Sequence, residues 1–246
     1  MWKIFVLVIA GLWSSVAVAT EVRSLLLLSV MGDNMTVISH RPEAGSHLDQ
    51  NKRYAMDLGI NAVDDLVMSA AWSAVKASGA LSESQVRAIR YRGEYDPSTW
   101  LAGSKFKPPE NLVDAIRSTD ATHMLVVAPH RAPAVLKLKR GSTGSGQLEG
   151  IGFYIDREAR IGRSDTGEVG VGFLAPYAYL KVLLIDLQSW DIERQQVVSA
   201  SNTVSVARNK DQFDPWEALD ASQKISAITR IVRAEMNRVV PVLLKP

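Results

Sequence analysis

Ile4 to Trp13 is an unbroken apolar run. A single charge at Lys3 precedes it, and Ala17-Val18-Ala19 follows, with small residues at the two positions a signal peptidase reads. The pattern predicts a secretory signal peptide over residues 1–19. It constrains the fold because residues 20–246 must then become stable outside the cytosol, and the sequence contains no cysteine. Neither a disulfide nor a thiolate metal site can staple the chain, so a hydrophobic core has to hold it. A lipidated N-terminus needs a cysteine at the cleavage point and is excluded on the same ground. The apolar run is too short to cross about 30 Å of hydrocarbon unless it extends through Ser14 and Ser15, so no stable membrane span is expected after cleavage. The expected location is the periplasm of a Gram-negative bacterium.

A hydrophobic fraction of 47% supplies a core, and a formal net charge of +2 over 246 residues argues against a nucleic-acid partner, which needs a basic face. Arg23–Met31 and Met35–Ser39, separated by Gly32-Asp33-Asn34, read as a β-hairpin. His40 to Tyr54 reads as a loop. Val63, Leu66, Val67, Ala70, Ala71, Ala74 and Val75 make one helical stripe, with Asn61 before it, Asp64 and Asp65 in its first turn and Gly79 after it. Val86–Tyr91 and His123–Ala128 read as strands flanking a short helix at Glu110–Ser118. Val135–Arg140 alternates as an exposed strand would. Tyr177–Leu187 and Gln195–Val206 read as two more strands. Asp214-Pro215-Trp216-Glu217 predicts the start of a final helix, which Pro241 is expected to stop.

Gly150-Ile151-Gly152-Phe153 recurs as Gly170-Val171-Gly172-Phe173, with a charged connection between. Together with the Gly141–Gly146 tip this predicts a long β-hairpin arm inserted at about residues 141–176. The whole chain from residue 20 to 246 is then one α+β domain (mixed α/β): a mixed, largely antiparallel sheet with helices packed on it.

Three segments carry a resemblance. Ser24–Val30 resembles the opening strand of a small α/β domain. Ser118-Thr119-Asp120-Ala121-Thr122-His123 leading into Met124–Val127 resembles its helix-end, turn and strand. Leu180–Ser189 followed by Gln196–Ala200 resembles its late hairpin. That domain is shared by the curli secretion channel family, the N-terminal domain of the Tol-system β-propeller protein and the outer-membrane activators of penicillin-binding proteins. The resemblance implies an envelope interaction module without a known active site. Two features differ: those families usually start at a lipidated cysteine, and the glycine-flanked arm has no counterpart in them.

The search for chemistry returns little. His40, His47, His123 and His130 show no short metal-ligand spacing, so no metal ligands and no cofactor are expected. There is no Gly-x-Ser-x-Gly elbow. Asp64 and Asp65 are adjacent on a helix and do not face each other. Asp156 and Glu158 lie among arginines. Gly141–Gly146 and Gly162–Gly167 lack the context of a phosphate loop. No catalytic residue is assigned. The candidate binding residues lie on the arm: Ile151, Phe153, Tyr154, Phe173 and Tyr177, a docking patch if exposed, with Trp100 and Trp190 as further exposed aromatics. The expected function is an exported binding or assembly module that contacts another cell-envelope protein. The alternatives are a secreted hydrolase built on Asp33, His123 or His130, and an oligomeric envelope component that self-associates through sheet edges or the arm.

Overall fold

The computed structural model describes residues 21–41, 49–138, 141–162, 169–204 and 214–245. The expected signal peptide, His47 and the tip of the arm lie outside the described residues. In chain order the elements are β1 (Leu25–Ser29), β2 (Asn34–Ser39), β3 (Lys52–Asp57), α1 (Ala62–Ser78), β4 (Val86–Arg90), α2 (Pro97–Trp100), β5 (Leu101–Ala102), β6 (Lys105–Phe106) and α3 (Glu110–Arg117). They continue with β7 (His123–Pro129), β8 (Arg131–Pro133), β9 (Leu136–Lys137), β10 (Ser142–Thr143), β11 (Gln147–Gly162), β12 (Val169–Asp186), β13 (Ile192–Ser201) and α4 (Ala221–Leu244).

The spine of the sheet is β12. Its Tyr177–Ile185 stretch pairs with β13 along one edge. On the other edge Leu180–Asp186 pairs with β7 and Phe173–Tyr179 with β11, so β7 and β11 lie end to end on one line. The next line repeats this arrangement, with β1 parallel to β7 and β2 parallel to β11. On the far side β4 runs parallel to β1 and β3 antiparallel to β2. The result is a mixed α/β fold in which antiparallel pairings outnumber parallel ones and helices pack against the sheet.

This arrangement corrects the hairpin expected from Gly32-Asp33-Asn34. The strands β1 and β2 do not pair; they follow one another in the same direction. Val30 N still donates to Val127 O at 2.9 Å, and Gly32 (φ 78°) and Asp33 then make a sideways jog. The physical reason is that Leu25–Leu28 is buried on both faces, the pattern of a strand inside parallel neighbours, so both its edges are taken by β4 and β7.

Helices cover one face. Leu25, Leu27, Leu125, Val127, Val182 and Leu184 meet the stripe of α1 (Val63, Val67, Ala70, Ala74) and that of α4 (Ile228, Val232, Met236, Val239). The other face is covered at one end by Trp100, Phe106, Leu112 and Ile116. At its other end Ala134, Leu136 and Leu148 lie over Tyr177 and Tyr179. Within the described residues no helix is long and apolar enough to cross a membrane.

Gly79 closes α1 in the left-handed conformation, as the sequence predicts. Other termini differ. Asp214 caps a short 3-10 turn over Pro215–Ala218, and α4 begins at Ala221, where Asp220 and Gln223 form a reciprocal capping box. Pro241 lies inside α4, and the helix runs on to Leu244 because Val240, Leu243 and Leu244 are buried against the core. The segment read as a loop runs into the first half of β3, and the strand expected at Val135–Arg140 contains β9.

Candidate functional site

The arm residues proposed for docking are interior. Ile151 is 2% exposed, and Phe153, Tyr154, Phe173 and Tyr177 are fully buried. The cause is topological: β11 and β12 are central strands, with Trp216 edge-on against Phe153 on one face and the β8–β9 segment over Tyr177 on the other. Among the described hydrophobic side chains of the arm, Val171 is the exposed one, at 56%. Trp100 is buried edge-on against Tyr91, Tyr95 and Phe106, and Trp190 is half-buried against the same cluster. These side chains, a docking patch only if exposed, are the core of the sheet.

The hydrolase residues are not brought together. Asp33 accepts from Asn61 N at 2.6 Å and holds the start of α1. His123 opens β7 and His130 follows its end, about 20 Å apart at strand rise. Burial and the nearby Lys181 push His130 below its ordinary pKa of 6.5. The two helix-start carboxylates also diverge. Asp64 is buried and accepts from Ser29 Oγ and from Met31 N at 2.9 Å, whereas Asp65 pairs outward with Arg90 at 2.8 Å. Desolvation raises Asp64 above the usual carboxylate value, outweighing those two hydrogen bonds.

Two histidine clusters do form, each from residues distant in sequence. At His40, Nδ1 lies 2.9 Å from Ser145 Oγ, 3.1 Å from Tyr154 Oη and 3.3 Å from Asn51 Oδ1. Its Nε2 is 4.0 Å from Asp156 Oδ2, beyond hydrogen-bond reach. Asp156 is otherwise engaged: its Oδ1 accepts from Glu158 N and Ala159 N at the bulge of β11. One ring nitrogen shared by three oxygens, with no hydrogen bond among the described residues orienting the other nitrogen, is poor geometry for a general base. The cluster instead ties the start of β3 to the start of β11. Asn51 Nδ2 donates to Ser145 O at 2.8 Å, and Asp49 accepts from Gln147 N at 3.0 Å.

The second cluster spans three neighbouring strands at one end of the sheet. His123 on β7 is directly opposite Asp186 on β12. Leu184 pairs with Arg194 and Ile185 with Ile192, so Glu193 is the extra residue of a β-bulge in β13. One ligand-type atom from each of His123, Asp186 and Glu193 lies within 4.8 Å of the others. His123 is fully buried, and its Nε2 stands 3.4 Å from Glu193 Oε2, yet neither of these buried atoms has a hydrogen bond. Asp186 Oδ1 accepts from Gln188 N at 2.6 Å and Ser189 N at 2.9 Å. Sequence reading finds only His123 here, because its partners are set by strand pairing and by a one-residue bulge.

The outer edge of β13 is a separate feature. Among the described residues β13 pairs with β12 alone. Its first residue is held by Ser104, whose carbonyl accepts from Ile192 N at 2.7 Å. Its last is held by Lys137 N, which donates to Ser201 Oγ at 3.0 Å. Between these, Gln195-Gln196-Val197-Val198-Ser199-Ala200 carries no charge and no proline, and Val197 is 44% exposed.

No protein-family description matches the chain, and no curated protein does. Distant likenesses exist among solved structures. Protein XCC0632 from Xanthomonas campestris is 13% identical, with 90% of this chain and 83% of that one covered and a TM-score of 0.38. A putative neuraminyllactose-binding hemagglutinin homolog from Helicobacter pylori is 10% identical, covering 90% and 81%, with a TM-score of 0.37. The PelC dodecamer from Paraburkholderia phytofirmans is 12% identical, covering 93% of each chain, with a TM-score of 0.32. These likenesses are too distant to assign a family.

Proposed function

We propose that this chain is an exported, non-catalytic contact module of the bacterial cell envelope, and that it docks another envelope protein by accepting an extended segment along β13. The observation that carries the reading is the stretch Gln195–Ala200, whose outer edge meets no other strand among the described residues. Sheet edges are normally blunted with charges, prolines or bulges because their free backbone groups pair with any available strand. Here the bulge at Glu193 guards only the root of the strand. Backbone pairing gives such an interface its affinity, and side chains such as Val197 give it selectivity. The leader pattern supports export to the periplasm, and the resemblance of Ser118–Val127 and Leu180–Ala200 to envelope interaction domains supports the same role.

A gatekeeper charge tests it. Val197→Lys is expected to leave the thermal midpoint of the isolated protein close to that of the parent, since surface changes of this kind cost within about 0.5 kcal/mol. It is also expected to abolish the complex recovered from envelope extracts of the source cells. Recovery of the same complex with the lysine in place contradicts the reading. A complex that consists only of further copies of the chain moves the function to the oligomeric alternative.

A further inference from the structure

We propose that His123, Asp186 and Glu193 bind a divalent transition-metal ion, with zinc as the reference case. His123 Nδ1 lies 3.0 Å from Thr122 Oγ1, an oxygen that also meets Ser24 O at 3.0 Å, Ser24 N at 3.2 Å and Arg23 N at 3.3 Å. In the tautomer with the proton on Nδ1, donated to Thr122, the ring presents its Nε2 lone pair to the Glu193 carboxylate at 3.4 Å, with the Asp186 carboxylate beside them. Three electron-rich groups converge on one point, two of their buried atoms without a hydrogen bond. In that tautomer the arrangement is repulsive, and a cation between them resolves it.

The His123–Glu193 spacing fits a metal. Two ligands each about 2 Å from a tetrahedral zinc lie about 3.3 Å apart, and His123 Nε2 and Glu193 Oε2 are 3.4 Å apart. The outer contacts fit as well. A metal-bound histidine usually donates its second N–H to a fixed acceptor, and a ligating carboxylate is usually held by other donors. Thr122 plays the first part, and Gln188 N and Ser189 N the second. One imidazole with two carboxylates suits zinc, manganese or iron better than calcium or magnesium, which take oxygen ligands in larger number. Because the three residues sit on β7, β12 and the bulge of β13, the ion would clamp the root of the edge strand to the sheet.

Zinc alone is the probe, on chelator-treated full chain purified without a histidine tag. Equilibrium dialysis is expected to leave one zinc ion per chain. Glu193→Gln, a conservative change at the bulge, is expected to weaken binding by about tenfold or more, and His40→Gln to leave it unchanged. Circular dichroism checks that each variant is folded. If His123→Gln does not fold, Glu193→Gln and the zinc-dependent rise in thermal midpoint of the parent carry the test. The proposal is overturned if the folded parent retains no more zinc than Glu193→Gln, or if His40→Gln removes the binding. It is equally overturned if nitrogen NMR of the zinc-treated parent finds His123 protonated on both nitrogens, which assigns the cluster to a buried imidazolium–carboxylate pair.

Discussion

Tyr177 lies directly across the strand pair from Gly152, and its hydroxyl passes over the glycine to donate to Thr36 O at 3.3 Å. One aromatic side chain thus joins three strands, β12, β11 and β2. The glycine permits it, because a Cβ at Gly152 would stand 1.9 Å from Thr36 O. Gly152→Ala is expected to force β2 away from β11 and to cost about 3 kcal/mol, the upper end for overpacking a core. Tyr177→Phe keeps the ring and loses only the hydroxyl contact, for about 1 kcal/mol. Urea unfolding of the two variants checks the order; a Gly152→Ala protein as stable as Tyr177→Phe would contradict it.

Asp64 supplies a pH test. Its carboxyl is raised above 3.8 by burial. Between 3.8 and that raised value the folded chain holds a proton that the unfolded chain has lost, so the contribution of Asp64 to stability falls as pH rises through this window. Both its hydrogen bonds, from Ser29 and Met31, go to Oδ1, which asparagine retains. The stability of Asp64→Asn relative to the parent is therefore expected to improve from acid to neutral pH in thermal melts. Asp64→Ala, which strands two buried donors, is expected to lose about 2 kcal/mol or more. A flat difference between Asp64→Asn and the parent would refute the assignment.

The start of α4 separates two aspartates that look alike in sequence. Asp220 accepts from Gln223 N at 2.8 Å, and Gln223 returns a bond to Asp220 N. Asp220→Ala is expected to cost about 1 kcal/mol and to fray the first turn of α4, seen as faster amide exchange there. Asp214 instead serves the 3-10 turn and an ion pair with Arg157 at 2.9 Å, so Asp214→Ala should leave exchange in α4 unchanged.

What was legible in the sequence follows the range of the forces involved. The stripe of α1 and its closing Gly79 are local, and both read correctly. The strands at His123–Ala128 and Tyr177–Leu187 are a property of local composition and also read correctly. Partnership is not local. Gly32-Asp33 carries the signature of a reversal, yet β1 and β2 run on in one direction because β4 and β7 occupy both edges of β1. The aromatics of β11 and β12 left exposure and packing both open in the sequence, because the elements that cover them, β8, β9 and Trp216, come from remote parts of the chain. Glu193 meets His123 through a bulge that no spacing rule marks. His40 meets Ser145 and Tyr154 across 105 and 114 residues.

The central claim, that the outer edge of β13 receives a partner strand, is tested most directly by photo-crosslinking in living cells. A crosslinking side chain is placed in turn at Val197, Ser199 and, as a remote control on an exposed loop, Ile60, which is 78% exposed. The account predicts one and the same covalent adduct to a second envelope protein from positions 197 and 199, and none from position 60. No adduct from the two edge positions, or the same adduct from all three, would contradict it.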